Sequence, residues 1–145
     1  MKYELIQDPY CECPLGKDDP VKITYHKTAR YTLGTEPVDD ARMEEIALMR
    51  KRGTIIFVPV WAYVHSNIAL KAAHANPSNC PWDSGQSGIV YITKADALKM
   101  YGWSRMSPGR VDTVHRILKT TVEEFGKWLN GDCWGYQIYN DHGAV

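Results

Sequence analysis

The sequence predicts an α+β domain: a mainly antiparallel sheet of four to five strands packed, on one face, against about three helices. Three observations lead there. Several short stretches alternate apolar and polar residues, as half-buried strands do. Ile55 to Val64 is apolar throughout and rich in β-branched and aromatic residues, the pattern of a strand buried on both faces. Val111, Val114, Leu118, Val122, Phe125 and Leu129 follow 3, 4, 4, 3, 4 spacing, the stripe of an amphipathic helix. One domain over residues 1–145 is expected, since this length suits a single core.

The elements follow in order. Tyr3 to Gln7 reads as a first strand, and Asp8 to Pro20 as a loop rich in Pro, Asp and Gly. Val21 to His26 alternates and reads as a second strand. Pro37 suits the first position of a helix, with Asp39 and Asp40 at its positive end. Val38, Ala41, Met43, Ile46, Ala47 and Met49 give that helix a broad apolar side, and Gly53 stops it. Pro59 removes one ladder donor from the central strand, so a bulge or an edge is expected near it. His65 to Ser87 reads as a long connection, and such connections are often functional. Gly88 to Ile92 is another strand. Thr93 with Asp96 caps a short helix that ends at Gly102. Ser107-Pro108 opens the striped helix, which Asn130-Gly131 closes. Trp134, Tyr136 and Ile138 alternate in a last strand. A turn at residues 140–143 then leads into Ala144-Val145, which reads as the start of a returning strand and suggests a shortened C-terminus. The edge this leaves suits pairing with a second copy, so a homodimer is a possible assembly.

Charge narrows the function. Seventeen basic and seventeen acidic residues cancel. They cancel in each half as well: nine against ten from Met1 to Gly53, then eight against seven. Bulk-charge binding to nucleic acid and acidic mimicry of DNA are both disfavoured. A local basic bias remains at Lys94, Lys99, Arg105, Arg110, Arg116 and Lys119, so a weak phosphate or acidic-partner contact is a third, minor reading. The N-terminus lacks the apolar run of a signal peptide, and the ten-residue run Ile55 to Val64 is about half a membrane span. A soluble cytoplasmic protein with no membrane partner is expected. Its cysteines, at 11, 13, 80 and 133, are then reduced thiols. Cys11 and Cys13 are too closely spaced for a usual zinc pair, so no metal or other cofactor is expected.

The segment Cys80-Pro-Trp-Asp-Ser-Gly-Gln86 is rich in chemistry for a linker. Asp83 and Ser84 accept backbone N–H bonds, Gly85 permits a positive φ, Trp82 offers a flat apolar face, and Gln86 offers a donor and an acceptor. The residues suit either a stacking site beside a polar fork or a self-satisfied loop with Trp82 in the core. His65 ends the central strand and His74 lies in the connection, so a pair with Cys80 or Ser84 can be drawn. No spacing fixes such a pair, and Asp83-Ser84-Gly85 lacks the first glycine of a nucleophile elbow. No catalytic residue is assigned.

Four stretches resemble a family of small proteins carried by bacterial phages, prophages and plasmids. They are residues 26–34 (His26, Arg30-Tyr31, Leu33-Gly34), 59–66 (ending in His65-Ser66), 80–91 (Cys80-Pro-Trp-Asp-Ser-Gly-Gln86 onward) and 129–136. Asn67 stands where members usually have glycine, and members continue beyond the last turn. The resemblance implies a mobile-element accessory protein and no particular reaction.

Two functions are therefore expected in competition. The first is a binding protein that modulates or inhibits a host protein complex, such as a CRISPR or other defence assembly, without catalysis. The second is a small-molecule or nucleotide site, binding or hydrolytic, on the 80–86 loop. The contact residues named by these readings are Trp82, Asp83, Ser84, Gln86, His65, His26, Arg30, Arg110 and Arg116.

Overall fold

The computed structural model describes residues 2–7, 12–64, 67–77, 84–131 and 134–139. In chain order its elements are β1 (Lys2–Gln7), β2 (Lys22–His26), β3 (Glu36–Val38), α1 (Asp40–Arg52), β4 (Ile55–Val64), β5 (Ile68–Ala72), β6 (Ser84–Thr93), α2 (Lys94–Tyr101), α3 (Pro108–Leu129) and β7 (Trp134–Tyr139). The fold class is α+β, with a five-stranded sheet ordered β3-β2-β6-β4-β5. Every pairing in it is antiparallel except β2 with β3. The first and last strands do not join this sheet: β1 and β7 make their own antiparallel ribbon. The expected returning strand at 144–145 lies outside the described residues.

Alternation along β4 divides the core. Ile56, Val58 and Val60 pack with Ile23, Leu70, Val90 and Ile92, under Val114, Leu118, Val122 and Phe125 of α3 and Ala97 of α2. The α3 stripe is thus buried where its spacing put it. Leu118 is fully enclosed, so Leu118→Ala costs about 2–5 kcal/mol. Ile55, Ile89 and Tyr91 face the other way and pack with Val38 and with Ile46 of α1. Helices therefore lie on both faces of the sheet, where the sequence suggested one. The cause is the apolar run itself, which carries large side chains on both alternating sets and needs cover twice.

Two other expectations change. Pro37 is not helical: it sits in β3, an edge strand where a missing N–H costs nothing. The helix starts three residues later, and Asp39 is its cap, accepting from Arg42 N at 2.8 Å. The long connection 65–87 also contains structure. β5 pairs antiparallel with β4, from Val64 opposite Ile68 to Val60 opposite Ala72, and β6 begins at Ser84 instead of Gly88. The alanines of β5 and the Ser, Gly and Gln of early β6 are poor strand formers, and only pairing with β4 reveals them.

The bulge near Pro59 is present but sits in the neighbouring strand. Val60 pairs with Gly88 and Trp61 with Gln86, leaving Ser87 as the extra residue. Pro59 itself faces Ala73, just past the end of β5. Its carbonyl accepts from Ala73 N at 3.0 Å. Proline has no N–H to return to Ala73 O, and the indole Nε1 of Trp61 donates there at 2.9 Å. The β5 edge is closed from α3: Asn130 Oδ1 accepts from Ile68 N at 3.0 Å and Asn130 Nδ2 donates to Ile68 O at 2.6 Å.

Candidate functional site

A cleft opens between α1 and the sheet because β2 parts from β6 early. The β2–β6 ladder holds only Lys22 with Tyr91 and Ile23 with Val90. At the next position the buried hydroxyl of Thr24 replaces the backbone and accepts from Ile89 N at 3.0 Å. The Thr24 carbonyl lies so near Gly88 that a Cβ there would stand 1.9 Å from it. Glycine is therefore required by close approach and not by its dihedral freedom. Beyond this point the strands diverge around a cleft of about 420 Å³, with Thr24, Val38, Ile46 and Ile89 inside and His26, Met43 and Gln86 among its lining residues.

The helix above the cleft is barely buried. Among the 13 residues of α1 only Ile46 is enclosed, while Met43 is 49% and Leu48 45% exposed. The broad apolar side read from the sequence is thus real in composition but mostly unburied. Charges at 42, 44, 45 and 50–52 interrupt it and keep most of the helix in solvent.

His26 is held at both ring nitrogens. Its Nδ1 accepts from Thr28 N at 3.2 Å and lies 2.6 Å from Thr28 Oγ1. The neutral ring therefore carries its proton on Nε2, which meets Asp40 Oδ1 at 3.2 Å. These contacts orient the ring at the rim of the cleft. On the same sheet face Tyr91 donates to Glu36 Oε2 at 2.6 Å, and Arg42 Nε donates to Glu36 Oε1 at 3.0 Å. Arg42 also reaches Tyr91 Oη at 3.3 Å and Glu45 at 2.9 Å. Burial first, and then the Glu36 carboxylate, push the Tyr91 phenol up to about 12. The Arg42 guanidinium is raised by its hydrogen bonds to Glu45 and Glu36. This network ties α1 to β3 and β6 and fixes one wall of the cleft.

Of the sequence-derived contact residues, the structure brings His26 and Gln86 together in this cleft. Arg30 projects from the turn after β2, its guanidinium 5.3 Å from the Tyr31 ring centroid. Arg110 and Arg116 belong to α3, on the opposite face of the sheet. Arg110 donates to Arg105 O at 2.7 Å and lies 5.1 Å from the Trp103 ring centre, so it braces the segment before α3. Arg116 Nη2 donates to Thr113 Oγ1 at 3.3 Å. Ser84 opens β6 in register with Tyr63. Trp82, Asp83 and His65 lie outside the described residues, as does Cys80. His74 meets His115 of α3 edge to face, with ring centroids 5.4 Å apart. Burial, and then His74, hold the His115 pKa below its usual value.

Met43, Ala47 and Arg50 also line the cleft and were not among the expected contacts. The available signal was the scatter of apolar residues around α1 in place of a narrow stripe. Among the described residues, no cluster of three or more His, Cys, Asp or Glu is arranged to hold a metal ion, and no helix is long and apolar enough to cross a membrane. No protein-family model, curated protein or solved structure matches the chain.

Proposed function

We propose that this protein acts by binding, as a mobile-element accessory factor that modulates or inhibits a host protein complex, and that α1 with its cleft is the contact surface. The observation that carries the reading is the exposure of Met43 and Ala47 at the mouth of an open cleft lined by Val38, Ile46 and Ile89. Exposed apolar surface next to a polar rim is a mark of protein interfaces, and a few anchors inserted in such a cleft dominate affinity. His26, oriented by Asp40 and Thr28, and Gln86 supply the rim.

The test is capture from lysates of several bacterial hosts, with wild type compared against Met43→Glu and Ala47→Glu. Both positions are exposed, so the fold tolerates the change. A protein retained by wild type and lost by both variants, then bound directly in purified form, is the expected result. Capture that ignores both substitutions sinks the proposal.

A second reading draws on the cleft volume, about 420 Å³, which is within the span typical of small-molecule sites, roughly 300–1,000 Å³. A metabolite panel that raises the melting temperature of wild type but not of Ala47→Glu favours this reading.

A further inference from the structure

The same sheet face carries a second, separate feature beyond the reach of α1. Trp61 and Tyr63 lie two apart on β4, on the side away from α3. In register across β5, β4 and β6 stand Lys71, Trp61 and Gln86. The next row pairs Ala69 with Tyr63. Alanine opposite tyrosine leaves a hollow of about 350 Å³, which Asn76 and Pro77 also line. The indole N–H is already given to Ala73 O, so the ring is pinned and has only its π surface left to offer. Lys71 is exposed at one end of the first row and the Gln86 carboxamide at the other. Two strand spacings, about 10 Å, separate their backbones.

We propose that this aromatic ledge is a binding site for a nucleobase carrying a phosphate. Trp61 and Tyr63 supply a stacking floor that tolerates any base. Gln86 gives one amide N–H to Gly88 O at 3.3 Å and keeps its second N–H and its carbonyl for a base edge. Lys71 is the cation for the phosphate, and its exposure makes that contribution sensitive to salt. A proline-rich peptide also stacks on Trp and Tyr, and its carbonyls accept from Gln86, but it brings no anion to Lys71. The ledge does not rest on the reading of the α1 cleft: only Gln86 is shared, so either stands if the other fails.

The experiment titrates adenosine 5′-monophosphate, adenosine and a single-stranded oligonucleotide into the full chain at low and high salt, by calorimetry or NMR. Adenosine 5′-monophosphate is expected to bind with Kd below about 1 mM, and adenosine roughly five- to tenfold more weakly. Lys71→Gln should bring the nucleotide down to the nucleoside's affinity without altering the nucleoside. Ala69→Leu, which fills the hollow from an exposed position, should abolish both at an unchanged melting temperature. An oligonucleotide that binds more tightly, with the same response to both variants, identifies a polymeric source, and equal binding identifies the free nucleotide. No nucleotide binding, equal affinity for nucleoside and nucleotide, or binding indifferent to either substitution overturns the proposal, as does a proline-rich peptide that binds where the nucleotide does not.

Discussion

Trp61→Phe removes a hydrogen-bond donor from a carbonyl whose facing residue, Pro59, has no N–H to replace it. Ala73 O sits opposite Pro59, the one residue type with no N–H to offer, and the indole of Trp61 reaches it at 2.9 Å. Ala73 is half-buried, so water replaces part of the lost bond, and the loss should cost about 1 kcal/mol. The reduced ring size adds a packing cost of its own, which a double-mutant cycle removes. Pro59→Ala restores a backbone N–H aimed at the same carbonyl. Alone it should be destabilising by about 0.4–1 kcal/mol, because the unfolded chain gains freedom. In the Trp61→Phe background the new N–H replaces the indole. The double variant should therefore be more stable than the summed single effects imply, by about 1 kcal/mol. Urea unfolding of all four proteins, at matching m-values, measures this. Single effects that add to within about 0.3–0.5 kcal/mol would refute the reasoning.

Further outcomes follow from the same geometry. Gly88→Ala places a Cβ 1.9 Å from Thr24 O and should cost at least about 2–3 kcal/mol in chemical denaturation. Gly85→Ala, with nothing within 4 Å, should stay within about 0.5 kcal/mol of wild type. The Tyr91 phenol is raised from 10.0 to about 12 in the folded state, so its contribution is complete below pH 10 and is lost as pH rises through 12. Tyr91→Phe should flatten that alkaline fall in melting temperature. His115 is depressed in the folded state by burial and by His74, with Asp112 opposing and Lys119 assisting. Its contribution is present above the unfolded value of about 6.5 and is lost on acidification, and His115→Gln should reduce the acid slope seen by thermal melting. Asn130→Ala frees both polar groups of Ile68 at the β5 edge. It should cost about 1–2 kcal/mol and speed amide exchange at Ile68.

Much of the fold was legible because its signals are local. The α3 stripe, the Ser107, Thr93 and Gly53 termini and the β4 run each depend on residues close in sequence, and each recurs in the structure. β3 and β5 were not legible, since both exist through a neighbour. Glu36-Pro37-Val38 is a strand only because β2 lies beside it, and Ile68–Ala72 only because it pairs along β4. The candidate cleft follows the same rule. His26 ends a predicted strand and Gln86 a predicted loop, but their meeting is set by the early parting of β2 from β6 at Thr24, a side-chain substitution for a ladder bond that no periodicity records.

Both surfaces of interest lie on one face for a reason of length. α3 has 22 residues and spans about 33 Å, matching the roughly 33 Å of a ten-residue strand such as β4. On that face Ile56, Val58 and Val60 are enclosed, and Ala62 and Ile68 pack partly buried against the same core. α1 has 13 residues and spans about 20 Å. It covers Ile55 and reaches Phe57, over which Arg50 lies 4.2 Å from the ring centroid. The strand then runs on with Pro59, Trp61 and Tyr63, and among the described residues no helix lies above them. Both rings are half-buried, and the apolar surface they still show would be a hazard if it were only a remnant of a core. The chain instead pins Trp61 through its indole and flanks it with Lys71 and Gln86, an arrangement suited to a planar polar ligand. The short helix thus produces two accessible regions at once, a cleft beneath it and a ledge beyond it, and filling either one leaves the α3 face untouched.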